Sequence, residues 1–174
     1  PSFVTDLNPD FEVVLQQRRS KKAESKLRRL AVKLEQTLGP VKLSTASNEA
    51  EAATILNAVE SFRRDRAATA GIPNFFDTDG ARSFLDRAAA EGELRLDYLT
   101  AGDTVVAAYV GVTQDGRYSS FMNSFLSRPD LNSLSIGKQV LHQLIARLCA
   151  TGFTSFDLGV GSDAYKLAWC DADP

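Results

Sequence analysis

Apolar and polar positions along the chain change period several times, and each change marks an element. Between residues 12 and 38, Ala23, Leu27, Leu30, Ala31, Leu34 and Leu38 recur at helical spacing before Gly39-Pro40 stops the run, which predicts one helix over 12–38. Arg18, Arg19, Lys21, Lys22, Lys26, Arg28, Arg29 and Lys33 fall off that stripe. They form either a solvated basic face or a contact for anionic lipid, polysaccharide or a phosphorylated substrate. An extended piece at 41–44 leads to Ser47-Asn48, a cap, and to a second helix reaching about residue 69 with Ala52, Ile55, Leu56, Val59 and Phe62 inward. One turn further the same stripe meets Arg63 and Arg66, while Arg64 and Asp65 point away. Guanidiniums on an inward face need an anion or water. Either they pair with acids near the helix end, or they emerge past the core's edge, or they clamp a substrate carboxylate or phosphate.

Thr78-Asp79-Gly80 opens a third helix to about Ala90, with Phe84, Leu85 and Ala88 on its apolar side. The period then shortens. Leu94, Leu96 and Tyr98 alternate with Glu93, Arg95 and Asp97, as in a half-buried strand, and "TVVAAYVGV" is nearly continuous, as in a central one. With turns at "AGD" and "QDG", the runs 93–99, 104–112 and 117–125 predict an antiparallel meander. After a loop, "IGKQVLHQLIARLCATG" reads as a helix with Val140, Leu141, Leu144, Ile145 and Leu148 inward, and "FTSFDLG" as a strand returning to the sheet. The order predicts an α/β (α+β) domain over 1–174, helical through 91 and sheet-centred over 92–166, with helices packed across a mostly antiparallel sheet.

Composition narrows the function classes. A net charge of −2 argues against a DNA-binding protein taken as a whole. Cys149 and Cys170 lack metal-ligand spacing and read as free thiols of a reducing compartment, so a cytoplasmic location is expected. The single histidine, His142, sits on the polar side of its helix and receives no chemistry; Cys149 is packing, and no metal is expected. No apolar run has membrane-spanning length. The chain begins at Pro1 and stops at "WCDADP", just after its densest motif, which suggests a piece of a longer protein.

Two motifs can carry chemistry. In "SLSIGK", Ser133 and Ser135 precede a helix whose first amides have no internal partners, Gly137 leaves the backbone open to a ligand, and Lys138 adds a charge. Ser135, Ile136, Gly137 and Lys138 thus form a candidate pyrophosphate seat, distinct from a Walker A loop because no glycine stands five residues upstream and no Ser/Thr follows Lys138. The alternative is an ordinary serine-capped helix start. The second motif, "FDLGVGSDAYK", leaves a strand tip through Asp157, Gly159 and Gly161 and ends on Tyr165-Lys166. Asp157 can accept a proton or orient an amine, Tyr165 can protonate a leaving thiolate, and Lys166 can neutralise an anionic intermediate or phosphate. In the other reading Asp157 caps a turn, Tyr165 packs by its ring and Lys166 is solvated.

Together the meander, the "S-x-G-K" helix and "F-D-L-G-x-G-x-x-x-Y-K" resemble the GNAT acetyltransferase superfamily, and within it the BioF2-like or CelD-like branch related to the FemAB aminoacyltransferases. "FRRDR" at 62–66, "GELRLDYL" at 92–99 and "VVAAYVGV" at 105–112 fall in the order that branch shows. The resemblance implies a GNAT fold whose splayed strands hold the pantetheine arm of acetyl-CoA or another acyl-CoA, with residues 135–138 at the pyrophosphate. It implies acyl transfer to an amine or hydroxyl of a small molecule or of an envelope or exopolysaccharide precursor, with Asp157, Tyr165 and Lys166 as catalytic residues and Arg63 and Arg66 on the acceptor. FemAB-like transfer from aminoacyl-tRNA, or an inactive GNAT-fold module in polysaccharide synthesis, are the alternatives. A second GNAT-like domain in the full-length chain is also implied, as are strands after Tyr-Lys that this chain lacks. The branch usually shows Ser-Pro-Gly where Ser135-Ile136-Gly137 stands, and His-x-x-Arg-Trp where Arg63, Arg66 and Ala67 stand.

Overall fold

The computed structural model describes residues 2–160 and 164–170. Gly161 of the second motif and the terminal Asp173-Pro174 lie outside the described residues. The sheet has six strands: β1 (Ser2–Asp6), β2 (Val41–Thr45), β3 (Arg95–Ala101), β4 (Thr104–Gln114), β5 (Arg117–Phe125) and β6 (Ser155–Val160). Their spatial order is β1-β6-β5-β4-β3-β2. Every neighbouring pair is antiparallel except β5–β6, which is parallel. The expected meander is β3-β4-β5. The position beyond β6 is filled by β1, a strand that the apolar pattern did not reveal.

Helices α1 (Phe11–Arg18), α2 (Lys21–Leu38) and α5 (Ile136–Ala150) cover one face, where Leu15, Leu34, Leu99, Tyr109, Leu144 and Phe156 share a core. Helices α3 (Glu49–Ala70) and α4 (Ala81–Ala90) cover the other, where Ile55, Leu56, Leu85, Leu96, Val110 and Met122 meet. A single turn, α6 (Ala164–Leu167), follows β6. The caps follow the residues: Asn48 accepts from the Glu51 amide while Glu51 reaches back to the Ser47 N–H, two orphan donors satisfied reciprocally.

The single helix expected over 12–38 is instead two. Arg19 is extended, and the Ser20 hydroxyl caps a new start by accepting from the Ala23 amide. Arg19 therefore leaves the basic face: its Nε donates to Glu24 at 2.9 Å and its guanidinium lies 5.2 Å over the Trp169 ring. Lys21, Lys22, Lys26, Arg28, Arg29 and Lys33 do face solvent. His142 is not on a polar side either. It lies edge-on to Phe11 and Trp169, with Nε2 2.7 Å from Glu24 Oε2. Cys149 is buried, which pushes its thiol pKa up.

The half-buried reading of 93–99 also needs correction, because β3 is buried on both sides. Leu96 joins the α3–α4 core, and Asp97, on the α5 face, is fully buried. Arg95 grips its carboxylate with two hydrogen bonds of 2.8 and 3.2 Å, the Thr45 hydroxyl donates to it at 2.5 Å, and Arg147 stands 3.9 Å away.

Candidate active site

A break in the β5–β6 ladder makes the site. The two strands pair only at Arg117–Ser155, Tyr118–Phe156 and Ser119–Asp157, after which both continue without pairing. Just there, Val110 of β4 faces Met122 while Gly111 faces Ser120, so Phe121 is an extra residue. Such a bulge bends its strand and raises its twist. β5 thereby diverges from β6, and the fork opens into a cleft of about 830 Å³. Gly159 lets the fork form: its φ is +75°, and a Cβ there would meet the Ser120 carbonyl oxygen at 3.0 Å.

Every sequence-predicted site residue lines this cleft. Ser135, Ile136, Gly137 and Lys138 come from the start of α5, Asp157 from β6, Tyr165 and Lys166 from α6, and Arg63 and Arg66 from the end of α3. The two motifs, far apart in their roles, thus share one recess.

No side chain caps α5. Ser135 is left-handed at φ +55°, and its carbonyl accepts from the Lys138 and Gln139 amides. Gly137 lines the cleft, and a Cβ at that position would meet the Phe125 ring at 3.1 Å, so the missing side chain also makes room for Phe125. Lys138 is exposed beside it.

Asp157 is held at both oxygens, by Arg117 at 2.5 Å and by the Gly159 amide at 2.8 Å. The Tyr165 hydroxyl oxygen accepts from Asn123 Nδ2 at 3.1 Å. Lys166 is 3% exposed; its ammonium donates to the Gly159 carbonyl at 3.3 Å and lies 5.8 Å from the Phe3 ring centroid. A ring that only packs and a solvated lysine are therefore not what the chain builds.

Arg63 and Arg66 resolve differently from the acid-pairing alternative. Glu60, the acid one helical turn before Arg63, is taken by Arg64 at 2.7 Å and Arg82 at 2.8 Å. Among the described residues neither Arg63 nor Arg66 has a carboxylate partner, and Arg63 Nε is buried without a hydrogen bond. Burial and then the charge of Arg66 hold the Arg63 pKa below its usual value. Among the described residues, the cleft thus gathers Arg63, Arg66, Lys138 and Lys166 against the Asp157 carboxylate, which is bound to Arg117. Its field favours an anionic ligand.

Reading the sequence alone missed Asn123, which orients Tyr165, Arg117, which holds Asp157, and Phe125 and Phe121. Only Phe121 left a signal: two adjacent apolar residues, Phe121-Met122, interrupt the strand's alternation. No group of three or more His, Cys, Asp or Glu side chains that could hold a metal occurs among the described residues. Nor is any helix among them long and apolar enough to cross a membrane.

The family model described as an acetyltransferase (GNAT) domain matches residues 21–167. Among solved structures, FemX superposes at TM-score 0.69 with 10% identity over 97% of this chain and 57% of its own. A conserved protein of unknown function from Bacteroides thetaiotaomicron gives 0.61 with 12% identity, over 97% and 54%. The C-terminal domain of a putative lysylphosphatidylglycerol synthetase from Agrobacterium fabrum gives 0.58 with 13% identity, over 94% and 47%. The chain therefore spans about half the length of these structures. No curated protein matches it.

Proposed function

Since the chain belongs to the acetyltransferase (GNAT) domain family, we propose that it transfers an acyl group from an acyl-CoA to an amine or hydroxyl held in the β5–β6 fork. The observation that carries this reading is the convergence, on one forked-strand cleft, of an uncapped helix start, four cations and a hydrogen-bonded tyrosine. The donor supplies a thioester carbonyl. The first amides of α5 and Lys138 suit its pyrophosphate. Amides of β5 beyond Ser119, freed by the fork, are donors toward a carbonyl oxygen. Asn123 donates to the Tyr165 oxygen and so orients the phenol, whose proton goes to the departing thiolate. Asp157, fixed by Arg117 and Gly159, orients the incoming nucleophile and takes its proton directly or through a water. Lys166 places positive charge beside the Gly159 carbonyl, where an oxyanion or an anionic acceptor is stabilised. An envelope or exopolysaccharide precursor is the acceptor class we favour, on the resemblance of the motifs, and the cytoplasm, where acyl-CoA is made, is the location this implies.

Calorimetry with CoA and acetyl-CoA tests the reading. The protein is expected to bind both, and Lys166→Ala to retain that affinity while losing transfer by about 100-fold or more. Failure to bind any CoA ester refutes acyl-CoA as donor. The neighbour named as a putative lysylphosphatidylglycerol synthetase favours a second reading, aminoacyl transfer from tRNA. Charged tRNA as donor in the same transfer assay separates the two.

A further inference from the structure

The cleft holds a pair of cations that the transfer chemistry leaves without a task. Arg63 and Arg66 lie one helical turn apart on α3, and both line the cleft. They repel each other, as the lowered Arg63 pKa reflects, and Glu60, one helical turn before Arg63, is committed to Arg64 and Arg82. Keeping two guanidiniums together and one Nε buried without a partner is costly unless a ligand supplies the counter-charge. A carboxylate would balance only one of them. A phosphate monoester, with a charge of about −1.5 to −2 and three acceptor oxygens, would balance both.

Position identifies which phosphate. The Arg66 guanidinium lies 6.0 Å from the Phe125 ring centroid, and the same ring packs on Gly137 in the first turn of α5. Arg66 and the helix start thus flank a single aromatic side chain, so a ligand seated on the first amides of α5 passes this ring on its way to the arginines. Tyr165, Lys166 and Asp157 come instead from the β6 side of the fork. The expectation that the arginines hold the acceptor is therefore redirected to the donor.

We infer that Arg63 and Arg66 bind a second, monoester phosphate of the donor, remote from its pyrophosphate, which in acyl-CoA is the ribose 3′-phosphate. This rests on the acyl-CoA reading above. Phe125, between the two phosphate positions, is the surface over which the ribose passes.

Calorimetric titration with CoA and with dephospho-CoA, which lacks only that phosphate, tests the assignment. Wild-type protein is expected to bind dephospho-CoA about tenfold or more weakly, the scale of a charge-assisted contact. Arg66→Gln and Arg63→Gln should each weaken CoA binding by a similar factor and leave dephospho-CoA affinity unchanged. Equal wild-type affinity for the two ligands overturns the inference alone, as does a parallel loss of both ligands in the variants. Binding of neither ligand by wild type overturns the acyl-CoA reading and this inference with it. Should Arg63→Gln misfold, Arg66→Gln carries the test, because Arg66 is exposed and makes no hydrogen bond among the described residues.

Discussion

Two pairs of arginines in this molecule live under opposite rules. Arg95 and Arg147 converge on Asp97, near the C-terminal end of α5 and outside the cleft. Burial pushes the Arg95 pKa down, but the hydrogen bonds and charge of Asp97 outweigh it and leave the group more firmly protonated than usual. Arg63 and Arg66 line the cleft that also takes in the N-terminal start of α5, and there burial and mutual repulsion act with no acid among the described residues to offset them. The first pair is satisfied from within the chain and serves to fix β2, β3 and α5 together. The second is unsatisfied from within, and a protein keeps such charges where something from outside completes them.

Breaking the satisfied cluster should have the largest effect. Asp97→Ala leaves the part-buried Arg95 guanidinium and the Thr45 hydroxyl without their acceptor and Arg147 without its nearby countercharge, and is expected to cost about 3–5 kcal/mol in urea denaturation. A loss below about 1 kcal/mol would mean that the cluster is not what ties these elements together. Gly159→Ala should come next. Its left-handed backbone alone costs an alanine roughly 1–2 kcal/mol, and the new methyl group presses on the Ser120 carbonyl. Denaturation should show that loss together with weaker CoA binding; unchanged affinity would separate the fork from the donor site. Arg63→Met should have the smallest effect on stability, within about 1 kcal/mol of wild type and on the stabilising side, because it removes an uncompensated charge. A clear fall in melting temperature would show that Arg63 has a structural role after all and erase the contrast between the pairs.

Much of the scaffold was legible because it depends on local periodicity. The bounds of α5, the cap of α3, the start of α4 after Thr78-Asp79-Gly80, and the β3-β4-β5 meander follow from spacing and turn residues close in sequence. What stayed hidden depends on partners distant in sequence. Asp97 looked like a solvent-facing acid because its burial requires Arg147, fifty residues later, and Thr45, fifty-two earlier. The break at Ser20 was masked by a helical stripe that runs straight across it. β1 is a short strand whose reason for existing is the edge of β6, at the far end of the chain. In the site, the residue types of the two motifs were informative, since polar groups clustered at a strand exit and a helix start are costly without use. Their mutual placement was not, because it depends on the bulge at Phe121. Gly137 is the instructive case: a glycine at a helix start suggested access for a ligand, and its second constraint, the Phe125 ring against it, was invisible in the sequence.

The forked ladder also has a mechanical side. Only three residue pairs join the β1–β6 ribbon to the rest of the sheet, while β1 runs along the whole of β6. The first few residues of the chain therefore act as a splint on the strand that carries Asp157. A deletion or proline substitution within β1, though remote in sequence from every motif, would loosen one jaw of the cleft and leave the other untouched.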